Sequence, residues 1–179
     1  MVYNAVECNT VLPISNNVQR TCSSVVPAVK PDLVTYSSYE VTSYDRNKLK
    51  DVPDRLTLAL TLIDRFAPDP LHLGKARILI SEFGLYETLV PEMDIQPRAQ
   101  LVLETAHTFG IRLVFLWQLY DNECRDFKNH PLNIAVSPGD AAYPLDSQCR
   151  GLWLIRPDGK PSVVLPLLQR YWNSNLKPY

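Results

Sequence analysis

Residues 78–84 read Ile-Leu-Ile-Ser-Glu-Phe-Gly, a run of β-forming side chains that ends in a carboxylate. Two-residue alternation along an extended chain puts Glu82 on the side of Ile78 and Ile80, so the acid is expected at the edge of an apolar layer. A carboxylate there either caps the next turn, pairs with an arginine, or acts as a nucleophile, acid or base. A second cluster, Trp117, Gln118, Tyr120, Asn122 and Glu123, sets an indole beside amide and phenol groups, which suits the C–H faces and hydroxyls of a sugar. Its plain alternative is a core tryptophan followed by an ordinary exposed loop. Tyr36 and Tyr39, with Ser37 and Ser38, repeat the aromatic and hydroxyl theme, and Glu7 with Asn9 repeats the polar one.

Other chemistries find little footing. His72, His107 and His130 fall in a loop, a helix and a loop, with no i, i+4 pairing or flanking carboxylates for zinc, and are read as solvated. No glycine-rich phosphate loop follows a predicted strand, and no serine occupies a nucleophile elbow, so neither a nucleotide cofactor nor any other cofactor is expected. Cys8 and Cys22 read as small core residues. Cys124 and Cys149 share a loop-rich region and form a candidate disulfide if the parent protein is secreted.

The elements that must position these groups alternate. A strand is expected within residues 2–12, a helix over 15–29 and a strand over 33–36. After a polar loop comes a helix opened by Asp51-Val52-Pro53-Asp54, an acidic cap before an early proline, with Leu56, Leu60 and Ile63 at helical spacing. A third strand is expected over 77–81, then a helix after Pro97 carrying Leu101, Ala106 and Phe109 and ended by Gly110. The most apolar strand spans 112–119. Gly151 to Ile155, the turn Arg156-Pro157-Asp158-Gly159 and a helix from Ser162 to about Trp172 close the chain. Repeated strand–helix units imply a parallel sheet covered by helices on both faces, with chemistry at the carboxyl ends of the strands.

The 179 residues are 46% hydrophobic and 21% charged, which is a globular composition compatible with one domain spanning residues 1–179. A formal net charge of −1 gives no case for nucleic acid or an anionic membrane as partner. The first ten residues lack the basic-then-apolar layout of a signal peptide, and the compartment of the parent stays open.

With these residues in view, "ILISEFG", "VFLWQLYDNE" and "GLWLIRPDGKPSVVLPLLQRYW" resemble the C-terminal half of a retaining glycoside hydrolase (β/α)8 barrel of the cellulase-like superfamily. The resemblance implies an α/β fold of parallel βα units, corresponding to strands 5 to 8 of the barrel. It implies that Glu82 is the nucleophile at the end of the seventh strand and that Trp117 lines the sugar subsite after the eighth. Tyr36 or Tyr39 would be the tyrosine near the nucleophile; Gln118, Tyr120, Glu123, Glu7 and Asn9 are expected as further sugar-contacting groups from their residue types at the strand ends. The family's acid/base glutamate, preceded by asparagine, ends the fourth strand, which this chain does not contain; Glu7, followed by Cys8 and Asn9, does not match it. The implied partner is a β-linked carbohydrate. An open half-barrel is further expected to self-associate or to take the missing strands from another chain, because Ile78, Ile80 and Phe115 would be interior residues. The alternative is a non-catalytic carbohydrate-binding half-barrel or an inactive fragment.

Overall fold

A computed structural model describes residues 5–8, 21–42, 47–87, 90–119, 151–156 and 159–175. They belong to two compact units, residues 1–84 with 97–117 and residues 85–96 with 118–179. Asn9, Tyr120, Asn122, Glu123, His130 and the Cys124–Cys149 pairing lie outside the described residues, as do the side chains of Glu7, Cys8 and Cys22.

The first unit is an α/β structure around an open parallel sheet. Its strands are β1 (Ala5–Cys8), β2 (Leu33–Ser37), β3 (Ile78–Phe83) and β4 (Val114–Leu116), adjacent in that order and parallel throughout. Helices α1 (Thr21–Val29), α2 (Tyr39–Thr42), α3 (Val52–Phe66) and α4 (Glu92–Phe109) are interleaved with them. Parallel strands need such crossovers, since no tight turn can return the chain to the same end of the sheet.

Burial alternates along the strands instead of being continuous. Val34, Tyr36, Ile78, Ile80 and Phe83 are fully buried, whereas Leu33, Thr35, Ser37, Leu79 and Glu82 are half-buried. Among the described residues one face of the sheet is therefore fully covered, and the other, the open face, only partly. This corrects the expectation of cover on both faces. Of the three residues expected to be left uncovered in an open half-barrel, Phe115 in β4 is 54% exposed, flanked in alternation by exposed Leu113 and Trp117, whereas Ile78 and Ile80 are fully buried on the other face.

Helix α3 forms as its sequence dictates. Val52, Leu56, Ala59, Leu60 and Ile63 recur at three- and four-residue spacing and are all buried. Each of the larger ones contributes about 1.5–3 kcal/mol. The helix stops at Phe66 because Pro68 drives Ala67 out of helical geometry, to φ −75 and ψ 119. Asp51 is not the side-chain cap its position suggested: a 3-10 turn, Leu49–Asp51, runs straight into the helix, so Asp51 is itself helical and makes no capping bond. Arg77, which the sequence placed at the start of β3, is a buried side chain just before it. Its Nη1 donates to the Gly74 carbonyl at 2.6 Å and its Nη2 to the carbonyls of Asp64 and Ala67 at 2.8 and 2.9 Å, with the Asp64 carboxylate also at 2.8 Å. One of the last carbonyls of α3, that of Asp64, and the carbonyl of the C-cap residue Ala67 thereby gain donors the helix does not supply.

Helix α4 starts before Pro97, not after it, with the acids Glu92 and Asp94 in its first turn. It ends at Gly110, whose φ of 101 is a glycine conformation. Between Asp69 and β3, the Asp69 carboxylate accepts the N–H groups of Leu73 and Gly74 at 2.7 and 2.8 Å. Desolvation works to raise its pKa, but these two donors, with Arg77 and His72 nearby, prevail and hold it below the usual value.

In the second unit, residues 151–156 do not form a ladder strand. Ile155 makes an isolated antiparallel bridge with Pro161, and Gly159 N–H donates to the Arg156 carbonyl at 2.9 Å, closing the turn that residues 156–159 were expected to make. Helix α5 follows as Leu165–Asn175.

Candidate functional site

Glu82 lies at the carboxyl end of β3, and a register shift decides which way it faces. Strand β2 pairs Tyr36 with Ile80 and then Ser37 with Glu82; on the other side Ile80 pairs with Val114 and Phe83 with Leu116. Strand β3 thus carries one residue more than either neighbour between Ile80 and Phe83, a β-bulge at Ser81-Glu82. Beyond the bulge the alternation changes phase. Phe83 takes the buried position that simple counting gave to Glu82, and Glu82 shares the open face with its partner Ser37. The expected placement of Glu82 beside Ile78 and Ile80 is corrected accordingly.

Magnitudes explain the bulge. An unbroken strand would bury a carboxylate, costing several kcal/mol, and expose Phe83, costing about 1.5–3 kcal/mol. A disrupted ladder forfeits about one net hydrogen bond, roughly 0.5–1.5 kcal/mol.

Two serines hold Glu82. The Ser37 hydroxyl donates to Oε2 at 3.4 Å; the Ser38 N–H and hydroxyl both donate to the Glu82 carbonyl, at 2.8 and 3.0 Å. On the next strand end, Trp117 N–H donates to the Phe83 carbonyl at 2.8 Å, which sets Trp117 in line with the end of β3, and its side chain is 36% exposed. Glu82 and Trp117 therefore follow neighbouring strands of one sheet at its carboxyl end, within one compact unit.

Tyr36 is elsewhere. It is fully buried in the covered layer, and its hydroxyl donates to Glu40 Oε1 at 2.8 Å. Burial, then the Glu40 charge and that hydrogen bond, raise its pKa well above 10.0 against a smaller lowering by Arg55. A substrate on the open face does not meet this phenol. Tyr39 opens α2 half-buried, and Gln118, in the second unit, is half-buried with main-chain bonds to Leu152 and Leu154 at 3.3 and 3.0 Å. Glu7 pairs in register with Thr35.

A carboxylate that sequence reasoning passed over is the most enclosed among the described residues of the second unit. Glu87, with 5% of its side chain exposed, accepts from Trp153 Nε1 at 2.7 Å, from Arg156 Nε at 3.0 Å and from the Ser162 hydroxyl. With Glu92 and Ile95, Trp153 and Arg156 it lines an open cleft of about 280 Å³. Its three partners stand 66 to 75 residues away in sequence, so no local pattern announces them. The carboxylate ties the segment after β3 to residues 153–162.

Among the described residues no three His, Cys, Asp or Glu side chains gather as a metal site, and His72 and His107 are exposed. No helix among them is long and apolar enough to cross a membrane. Compared with known proteins, the chain matches no family model, no curated protein and no solved structure.

Proposed function

We propose that this chain is a glycoside hydrolase-like half-barrel in which Glu82 is the nucleophilic carboxylate and Trp117 the sugar platform. The observation that carries the reading is the bulge, which turns Glu82 from the apolar layer onto the open face at the carboxyl ends of parallel strands, one strand from a half-exposed indole. Parallel βα folds place chemistry at that end, and bulges re-aim side chains beside active sites. In the retaining reaction Glu82 would attack the anomeric carbon as the glycosidic bond breaks, and water would then release the sugar from the glycosyl ester.

That reaction needs a second carboxyl about 5–5.5 Å from the first to protonate the leaving oxygen. Among the described side chains Glu40, the carboxylate closest to Ser37 in sequence, is turned into the covered layer against Tyr36. The same observation favours a second reading, a carbohydrate-binding half-barrel without turnover, in which Trp117 and the exposed Phe115 of the open face hold sugar.

Purified protein assayed on aryl β-glycosides and β-linked oligosaccharides separates the two. Turnover abolished by Glu82→Gln supports the hydrolase; turnover that survives it removes Glu82 from the role. Tryptophan quenching by sugar without turnover, lost in Trp117→Phe, supports the binding reading. Neither turnover nor quenching refutes both. The exposed apolar row of β4 also makes a second copy of the chain, or the complementary strands, a partner of this reading; a clean monomer by sedimentation at micromolar concentration counts against it.

A further inference from the structure

We infer that Ser37 and Ser38 are positioning residues for the Glu82 carboxylate, Ser38 acting on its main chain and Ser37 on its side chain. The geometry stands by itself; only its consequence for catalysis rests on the reading of Glu82 as nucleophile.

A carbonyl oxygen has two lone pairs, and Ser38 engages the Glu82 carbonyl with two donors, its N–H at 2.8 Å and its hydroxyl at 3.0 Å. Fixing that carbonyl fixes the peptide plane after Glu82 at the point where the bulge has freed the strand from its regular ladder. Ser38 has no room to drift: it is fully buried, and its own carbonyl accepts from Val41 N–H and Thr42 N–H, each at 3.0 Å, and from the Thr42 hydroxyl at 3.1 Å. The far end of that turn is anchored in its turn. Buried Arg98 donates to the carbonyls of Thr42 and Asn47 at 3.3 and 2.9 Å, and Asn47 Nδ2 donates to the Glu40 carbonyl at 2.9 Å. The chain of contacts from Arg98 through α2 to Ser38 gives Glu82 a rigid backing. Ser37 then selects an orientation of the carboxylate through Oε2, with a bond whose 3.4 Å length marks it as the weaker half of the clamp.

A purely structural role, stapling the ends of β2 and β3, would leave the protonation of Glu82 unmoved when the Ser37 hydroxyl is removed. The full chain carrying 13C-labelled glutamate carboxyls distinguishes the two, with the Glu82 resonance assigned by its loss in Glu82→Gln. In Ser37→Ala, a mild change at a half-buried position, the titration midpoint of Glu82 moves upward, because the ionised form has lost a donor. In Ser38→Ala, kcat on an aryl β-glycoside falls about tenfold with KM changed less than twofold, and Ser38→Thr restores most of it. An unmoved midpoint in Ser37→Ala overturns the inference whether or not the protein hydrolyses sugar. If the wild type shows no turnover, the functional reading fails and the titration alone decides the clamp; if turnover exists and Ser38→Ala equals wild type, Ser38 loses its role.

Discussion

Deleting Ser81 tests the origin of the bulge directly. Between Ile80 and Phe83 that residue is the extra one, since Ser37 pairs with Glu82 and not with Ser81. Without it, Ile80, Glu82 and Phe83 succeed one another in plain alternation: Ile80 and Phe83 stay in the covered layer, Glu82 stays on the open face, and both flanking ladders run unbroken. The deletion should therefore change stability by less than about 1.5 kcal/mol, the worth of a ladder hydrogen bond. Deleting Leu79 shortens the strand by the same amount but reverses the phase of the residues after it relative to Ile78. Either buried Ile78 or the buried Ile80 and Phe83 must then face outward, and each large apolar side chain moved costs about 1.5–3 kcal/mol. Urea unfolding monitored by far-ultraviolet circular dichroism reads both: with a slope of about 1–3 kcal/mol per molar, the Ser81 deletion moves the midpoint by no more than about 0.5–1.5 M, and the Leu79 deletion lowers it further. A Ser81 deletion that costs more than about 3 kcal/mol, or a Leu79 deletion tolerated equally well, would refute the phase argument.

Three further outcomes rest on buried polar groups. Arg77→Met should cost about 3 kcal/mol in urea unfolding, because it strands the carbonyls of Gly74, Asp64 and Ala67, whereas Asp64→Asn should cost under about 1 kcal/mol, its carboxylate being one-third exposed. The raised pKa of Tyr36 means that above pH 10.0 the unfolded chain sheds this proton while the folded chain keeps it, so stability falls as pH rises from there; Tyr36→Phe should flatten that alkaline loss in thermal melts across about pH 9 to 11. Trp153→Phe removes one donor from buried Glu87 and should destabilise the second unit by about 1–3 kcal/mol, visible in near-ultraviolet circular dichroism before the far-ultraviolet signal changes.

Particular residues show how far the sequence was legible. The run Leu56, Leu60, Ile63 declares α3 because helical spacing is a property of the segment itself, and β2 is marked by Leu33 to Tyr36 in the same way. The position of Glu82 at a strand end was equally readable; its face was not. Counting by twos assumes a regular strand, and the competition between Glu82 and Phe83 for one buried position broke that regularity. Two polar residues in succession before an aromatic, Ser81-Glu82-Phe83, interrupt the alternating pattern and were the available sign of a bulge. Tyr36 kept its strand position but lost its assigned role, since Glu40, four residues on, takes its hydroxyl. Glu87 gave no sign at all, its meaning residing in partners supplied by a distant segment.

The outermost strand has a consequence beyond sugar chemistry. Among the described strands β4 comes last in sheet order, and around it Leu113, Phe115 and Trp117 present apolar side chains at every second position. An extended segment of that kind is a template for cross-β growth, onto which further copies can add by backbone pairing. Arg112, exposed just ahead of it, stands where a gatekeeper charge would oppose such stacking. Neutralising Arg112 should thus hasten fibril formation on storage, with thioflavin fluorescence rising earlier.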